Sequence, residues 1–417
     1  MVGTEARLRS LDLIRGVAVL GILAVNVCTF AVPGSSAMSP DLPRPGSPAD
    51  HAAWLIMFIL FEGKMRALFS MLFGASLLLF IKRMDAIGRD GARLQVRRLL
   101  WLMLIGYLHF MLVWDGDILF LYGAVGFLAM IVRHWSSRQL MLGAALVLTV
   151  WQGWGLSIWA GSLGDEAAVL SGTASPAAAK RHSDDLLWFR KEEAKDTAQA
   201  KQSWPQQVQT KLRDRAPDPL GLVGFNWGET LPWMMLGMAL LKSGFFAETW
   251  PRRSVVKLAV WGMGLGLGPT LSFAWWAQRQ DYPEVLMHFT EQFASVLPHT
   301  ALALCYAALL VLGAQALLRT VPGEMLEAAG KMAFSNYLGT SLIMAALCYG
   351  WGLGLYGQFG AAQRWTLVLL VWALILAWSQ PWLTRYRQGP MEWLWRSLTE
   401  WRVLGFRREP EPIELER

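Results

Sequence analysis

Long apolar runs separated by short charged stretches dominate the chain. About 20 apolar residues are needed to cross a bilayer as a helix, and on that measure the pattern predicts about ten spans. They cover 11–31, 52–81, 97–114, 117–133, 139–160, 221–243, 254–277, 293–318, 329–350 and 362–384. The expected fold class is all-α, a polytopic transmembrane helix bundle. The second run is the least regular, because "FEGKMR" sets Glu62, Lys64 and Arg66 inside it around Gly63. A break or kink flanked by polar partners is expected there. Four regions follow: residues 1–160, an N-terminal bundle of spans one to five with a polar outer-half site; 161–220, an extracytoplasmic helical insertion; 221–390, spans six to ten; and 391–417, a cytoplasmic amphipathic tail.

Positive charge alternates between loops, which sets the orientation. Arg7, Arg9 and Arg15, the group from Lys82 to Arg98, Arg133 and Arg138, Lys242 to Lys257, and the tail arginines all fall on one side. The other side is poor or balanced in charge, as at Asp41, Arg44 and Asp50. Both termini are therefore expected in the cytoplasm. A basic start before an apolar run also fits a signal peptide, but Asp12 and Arg15 at helical i, i+3 spacing favour an uncleaved first helix.

Composition supports the same class. Of 417 residues, 54% are hydrophobic and 17% charged, with 23 Trp, and mean hydropathy is +0.33. Cys28, Cys305 and Cys348 stand singly in apolar runs, which argues against a disulfide framework and against zinc, so no metal is expected. The net charge of +7 is explained by basic residues at span ends that meet lipid headgroups, and no nucleic-acid partner is expected. The insertion carries nine Lys or Arg and nine Asp or Glu, and its stretch from Ser183 reads as a capped helix lying over the outer face. "WGMGLGLGP" looks like a phosphate loop but lies in an apolar span with no strand before it, so helix packing is the better reading.

Ionisable groups inside hydrocarbon need a partner, water or a function. On the topology above, His109 lies ~9 Å below Asp115 at ~1.5 Å per residue, with Asp117 in the same outer turn. Glu62, Lys64, Arg66, Asn26, Asn226 and Glu229 arrive at similar depth from other spans. A water-accessible cavity is expected where they meet; a purely structural polar layer joining helices is the alternative. His51, at the outer start of span two, is within reach of the same cavity or is an interfacial histidine. Towards the inner face, Lys331, Asn336 and Tyr337 line a vestibule or bond neighbouring helices.

The series "LDLIRGVAVLGILAVN", "KMRALFSMLFGAS", "HFMLVWDGDILFLYGAVG", "GKMAFSNYLGTSL" and "GPMEWLWRSLT" resembles the YeiB-like family of bacterial inner-membrane proteins, in order and along the whole chain. That resemblance implies kinship with a transmembrane acyltransferase superfamily that includes heparan-alpha-glucosaminide N-acetyltransferase. It implies acyl-CoA, such as acetyl-CoA, entering from the cytoplasm and an acyl group passed to a glycan or other small-molecule acceptor outside. Asp12, Arg15 and Asn26 match the superfamily's first helix. "HAAW" at His51 resembles the surroundings of the glucosaminide acetyltransferase histidine, whereas His109 belongs to the YeiB-like signature, so the base stays open between them.

The expected chemistry has His109, oriented by Asp115 or Asp117, taking a proton from the acceptor, with Lys64, Arg66 or Asn26 stabilising developing negative charge. Arg15, Arg97 and Arg98 at the inner span ends are the expected holders of CoA phosphates, with Lys331, Asn336 and Tyr337 completing the expected cofactor site. A proton-coupled transporter using Glu62, Glu229 and His109 and a non-catalytic membrane assembly protein are the competing readings. Partners expected are the lipid bilayer and the acceptor, and homo-oligomer formation stays open.

Overall fold

The computed structural model describes residues 2–42 and 45–408; Arg44 and the tail beyond residue 408 lie outside them. Among the described residues the chain is helical, with one isolated antiparallel bridge between Tyr386 and Arg407. In order the helices are α1 (Val2–Ala31), α2 (Pro48–Leu60), α3 (Lys64–Ala86), α4 (Gly91–Leu112), α5 (Leu119–Ile131), α6 (Ser137–Leu170), α7 (Pro176–Ala200) and α8 (Trp204–Asp214). They continue as α9 (Asp218–Lys242), α10 (Arg252–Arg279), α11 (Glu284–Phe289), a π turn over Thr290–Ala294, α12 (Val296–Leu317), α13 (Val321–Lys331), α14 (Ala333–Cys348), α15 (Ala361–Arg385) and α16 (Pro390–Glu400).

Among the described residues, six helical segments are long and apolar enough to cross a membrane: Arg9–Ala31, Pro48–Ala86, Ser137–Leu170, Arg252–Arg279, Val296–Leu317 and Ala361–Arg385. Several present apolar faces to the outside. Leu142, Leu146 and Val150 on α6, Val260, Trp261 and Leu265 on α10, and Leu369 and Leu370 on α15 are exposed. Such a belt would cause aggregation in water and is stable against lipid tails.

Local sequence explains the helix ends. Ser47 and Asp50 form a reciprocal capping box at α2 with Pro48 in the first turn, satisfying donors that the helix cannot. Ser136 and Gln139 do the same for α6, and the Asp90 side chain accepts from the Arg93 amide at 2.8 Å to start α4. The expected break in the second span occurs at Glu62–Gly63, between α2 and α3.

Helices approach closely where glycine faces a neighbour's backbone. A Cβ on Gly237 of α9 would sit 1.7 Å from the Met71 carbonyl oxygen of α3, and one on Gly330 of α13 would sit 1.8 Å from the Asp12 oxygen of α1. Small residues of this kind permit the tight contacts that substitute for hydrophobic driving force in lipid. The boundary expected at 160/161 has no break in the chain, because α6 runs unbroken to Leu170 before α7 and α8 fold back over the bundle. Its polar upper end is tied down. Asp165 receives two hydrogen bonds from Arg181 of α7 at 2.7 and 2.6 Å, and Glu166 accepts from the Val285 and Leu286 amides at 2.9 and 2.8 Å.

Candidate functional site

α4 delivers His109 to the turn that leads into α5, and that turn returns Asp117 to the same point. His109 Nδ1 lies 2.8 Å from Asp117 Oδ1, with both side chains buried. Asp117 Oδ2 meanwhile accepts from the Phe120 amide at 2.9 Å. A carboxylate accepting from Nδ1–H leaves Nε2 as the basic nitrogen. Nε2 is buried and has no hydrogen-bond partner among the described residues. The ring lies 5.5 Å from that of Tyr337 and 6.4 Å from that of Trp114.

These two aromatic neighbours belong to different cavities. Tyr337 lines one of about 250 Å³ that opens at the end of the bundle bearing Arg15, Gln95, Arg98, Lys331 and Arg396. Its mouth is cationic and its shaft apolar, walled by Val19, Phe69, Leu72, Phe73, Leu102 and Leu119 and reaching Tyr122. Arg98 is held between the rings of Phe80 and Trp395, 4.0 and 4.2 Å from their centroids. Trp114 lines the other, a polar chamber of about 460 Å³ at the opposite end. His109 and Asp117 are in the lining of neither cavity; the His109 ring lies next to Tyr337 of the shaft and Trp114 of the chamber.

Several spans and the insertion build the chamber. Asn26, Glu62, Arg66, Asp115 and Asn226 line it, joined by Glu291 from the π turn and by Asp196, Gln199 and Arg215 from the insertion. Arg66 Nη1 lies 2.5 Å from Glu229 Oε1 and donates to Asn226 Oδ1 at 3.1 Å. Arg215 clasps the roof: its Nη1 donates to Asp115 Oδ2 at 2.7 Å and its Nε to Asp218 Oδ2 at 2.7 Å. Burial works to raise the Asp115 carboxyl, but Lys211 and Arg215 outweigh it and hold it below the ordinary range. Burial, reinforced by repulsion from Asp115, pushes Asp196 up to about 6 although Arg215 Nη1 is 3.9 Å away.

The predicted residues therefore divide. His109 and Asp117 pair, while Asp115 serves the roof and does not touch His109 in any hydrogen bond. Asn26, Glu62, Arg66 and Asn226 come together in the chamber, with Glu229 behind Arg66. Lys64 is buried and turns to the Phe58 carbonyl oxygen. His51 lies outside the chamber lining, bonded to Asp41 Oδ1 at 3.0 Å and the Tyr282 hydroxyl at 3.3 Å. Arg15, Arg98, Lys331 and Tyr337 line the shaft, and Arg97 does not. Asn336 is spent on packing: its amide donates to Ala329 and Ser379 at 3.1 and 3.2 Å and accepts from Trp378 at 2.9 Å.

Residues that the pattern of spans did not single out are Glu291, Asp196, Gln199, Arg215, Tyr122 and, from the tail, Glu392 and Arg396. Glu392 accepts the Phe334 and Ser335 amides at 2.8 and 3.2 Å, which pins α16 under the start of α14. Glu291 carried a readable signal, being an acid two residues before the apolar run that starts at residue 293. Its π turn is a local widening of the helix of the sort that recurs at functional positions.

Residues 240–402 match the family described as "Protein of unknown function (DUF418)". The chain is 31% identical over 396 residues to "Uncharacterized protein YeiB" of Escherichia coli (strain K12), covering 94% of this chain and 95% of that protein. It is 29% identical over 418 residues to "Uncharacterized protein YxaH" of Bacillus subtilis (strain 168), covering 95% of each. No solved structure matches.

Proposed function

The chain belongs to the YeiB-like family of proteins carrying the DUF418 domain, and from that premise we propose a membrane acyltransferase that moves an acyl group from acyl-CoA to an acceptor held in the polar chamber. On this reading the remaining helices of the bundle, α4, α5, α9 and α14, also cross, which makes about ten spans. Both termini and the cationic shaft mouth then face the cytoplasm of a bacterial inner membrane, and the insertion roofs the chamber outside.

The supporting observation is the His109–Asp117 pair with Nε2 free, flanked by Tyr337 of the shaft and Trp114 of the chamber. Arg15, Arg98, Lys331 and Arg396 offer charges for the CoA phosphates, and the narrow apolar shaft suits a pantetheine arm. The acceptor's hydroxyl or amine would lose its proton to Nε2 as its oxygen or nitrogen attacks the thioester carbonyl carbon. The Tyr337 hydroxyl accepts from the Ile118 amide at 3.3 Å, and its O–H would donate to the oxyanion. When the intermediate collapses, the carbon–sulfur bond breaks and the thiolate takes the proton back from Nε2, releasing CoA and acylated acceptor. Asp117 fixes the tautomer throughout.

The test is thiol release from acetyl-CoA by purified protein supplied with envelope glycan acceptors, lost in His109→Ala. A second reading is favoured by Glu62, Glu229 and Glu291 around Arg66, a set of groups suited to moving protons or cations. Acceptor-independent, proton-coupled flux into proteoliposomes, unaffected by acyl-CoA, would select it.

A further inference from the structure

The polar chamber has a side pocket of about 70 Å³, joined to it through shared lining at Val25, Thr29, Glu62 and Glu291. Its far wall holds Arg364 of α15 and His299 of α12. Arg364 is 3% exposed, its Nε and Nη1 have no hydrogen-bond partner, and no carboxylate among the described residues lies in ion-pair contact with it. Asp50 of α2 feels its charge without reaching ion-pair contact, so the guanidinium lacks a direct anionic partner, a costly arrangement tolerated where something else supplies the charge. His299 is 2% exposed and both of its ring nitrogens lack partners among the described residues. It fits only because the facing residue is Gly63, at φ +69°, where a Cβ would come within 1.9 Å of His299 Nδ1.

We infer that this pocket binds a carboxylate group of a small organic ligand, with Arg364 supplying the countercharge and His299 a ring N–H. A monovalent, planar group suits the site. Arg364 completes the guanidinium–carboxylate geometry, while Glu62 and Glu291, which also line the pocket, repel any anion, a doubly charged phosphate about twice as strongly as a carboxylate. The inference does not rest on acyl transfer, because any ligand of the chamber that bears a carboxylate would be held here.

Thermal melting of the purified full chain in detergent tests it, with acetate, propionate, inorganic phosphate, acetamide and propionamide as probes at matched ionic strength. Acetate and propionate are expected to raise the melting temperature by several degrees, the amides not at all, and phosphate less than either carboxylate. Arg364→Met should remove the carboxylate response while melting at least as high as the ligand-free wild type, because it deletes an unpaired buried charge. Arg364→Lys should keep a response weakened about tenfold, since it loses the planar fork. An equal effect of amide and acid, a stronger effect of phosphate, a response retained in Arg364→Met, or an Arg364→Met protein that melts far lower or fails to fold would each overturn the assignment. None of these readouts involves a thioester, so failure of the transfer reading is seen separately.

Discussion

Arg215, just past the end of α8 in the insertion, places its guanidinium 2.7 Å from Asp115 in the turn after α4, while Lys211 of α8 donates to the Phe110 carbonyl at 2.9 Å. The cover over the chamber is therefore latched to the helix that carries His109. Arg215→Ala is expected to loosen α7 and α8 rather than unfold the bundle. The Asp115 ion pair is partly exposed, with side-chain exposures of 30% and 22%, so the cost should be about 1 kcal/mol. Limited proteolysis should cut faster at 171–175 and 201–203 while the melting temperature of the bundle stays put.

Asp117→Asn keeps the shape of the pair but reverses the preferred tautomer of His109. On the proposed function, acyl transfer is expected to fall about 100-fold or more, close to the loss in His109→Ala, with the double variant no worse than either single one. The readout is thiol release at saturating acetyl-CoA. Additive losses would show that the two residues do not act as a unit.

The insertion should loosen in acid. His288 of α11 stacks on Phe189 of α7 with centroids 4.2 Å apart, and burial lowers its pKa to about 4 despite Glu193. An unfolded histidine takes a proton below its ordinary pKa of 6.5; the folded one resists until about 4. The contact's contribution is therefore intact above pH 6.5 and is lost as pH falls through that window, by on the order of 2 to 3 kcal/mol. Nearby Glu284 and Glu166, raised mainly by burial, act in the opposite sense, so the comparison that isolates His288 is wild type against His288→Phe. Trp188 fluorescence between pH 7.5 and 4.5 should report an acid transition in the wild type that is absent or weaker in the variant.

Gly237→Ala and Gly330→Ala should each destabilise the bundle by about 1–3 kcal/mol or more, because backbone oxygens rather than flexible side-chain ends receive the added methyl. Gly264→Ala, whose added Cβ meets nothing within 4 Å, is the control and should be neutral or slightly stabilising. Melting in detergent separates the three.

The apolar runs made the helices legible, down to the break at Gly63, because lipid leaves the backbone few other choices. Depth arithmetic likewise drew Asn26, Glu62, Arg66 and Asn226 towards one level. Azimuth was not legible. Lys64 and Arg66 are two residues apart, yet one turns to the Phe58 carbonyl and the other into the chamber, a difference set by packing after the Gly63 turn. Nor could spacing choose between Asp115 and Asp117, since the choice is made by Arg215, a hundred residues away in sequence. Arg364 and His299 were passed over because each looks, in sequence, like an isolated residue at a span end.

The unbroken run of α6 has a mechanical consequence. Its 34 residues extend ~51 Å at ~1.5 Å each, against a hydrocarbon thickness of ~30 Å, so about 20 Å of rigid rod must stand proud of the lipid or lean. Arg181 and the amides of Val285 and Leu286 grip the top of that rod. On the proposed topology, a thinner or thicker bilayer that changes its lean would swing the canopy as a lever swings its load, which would make entry to the space beneath sensitive to the surrounding lipid.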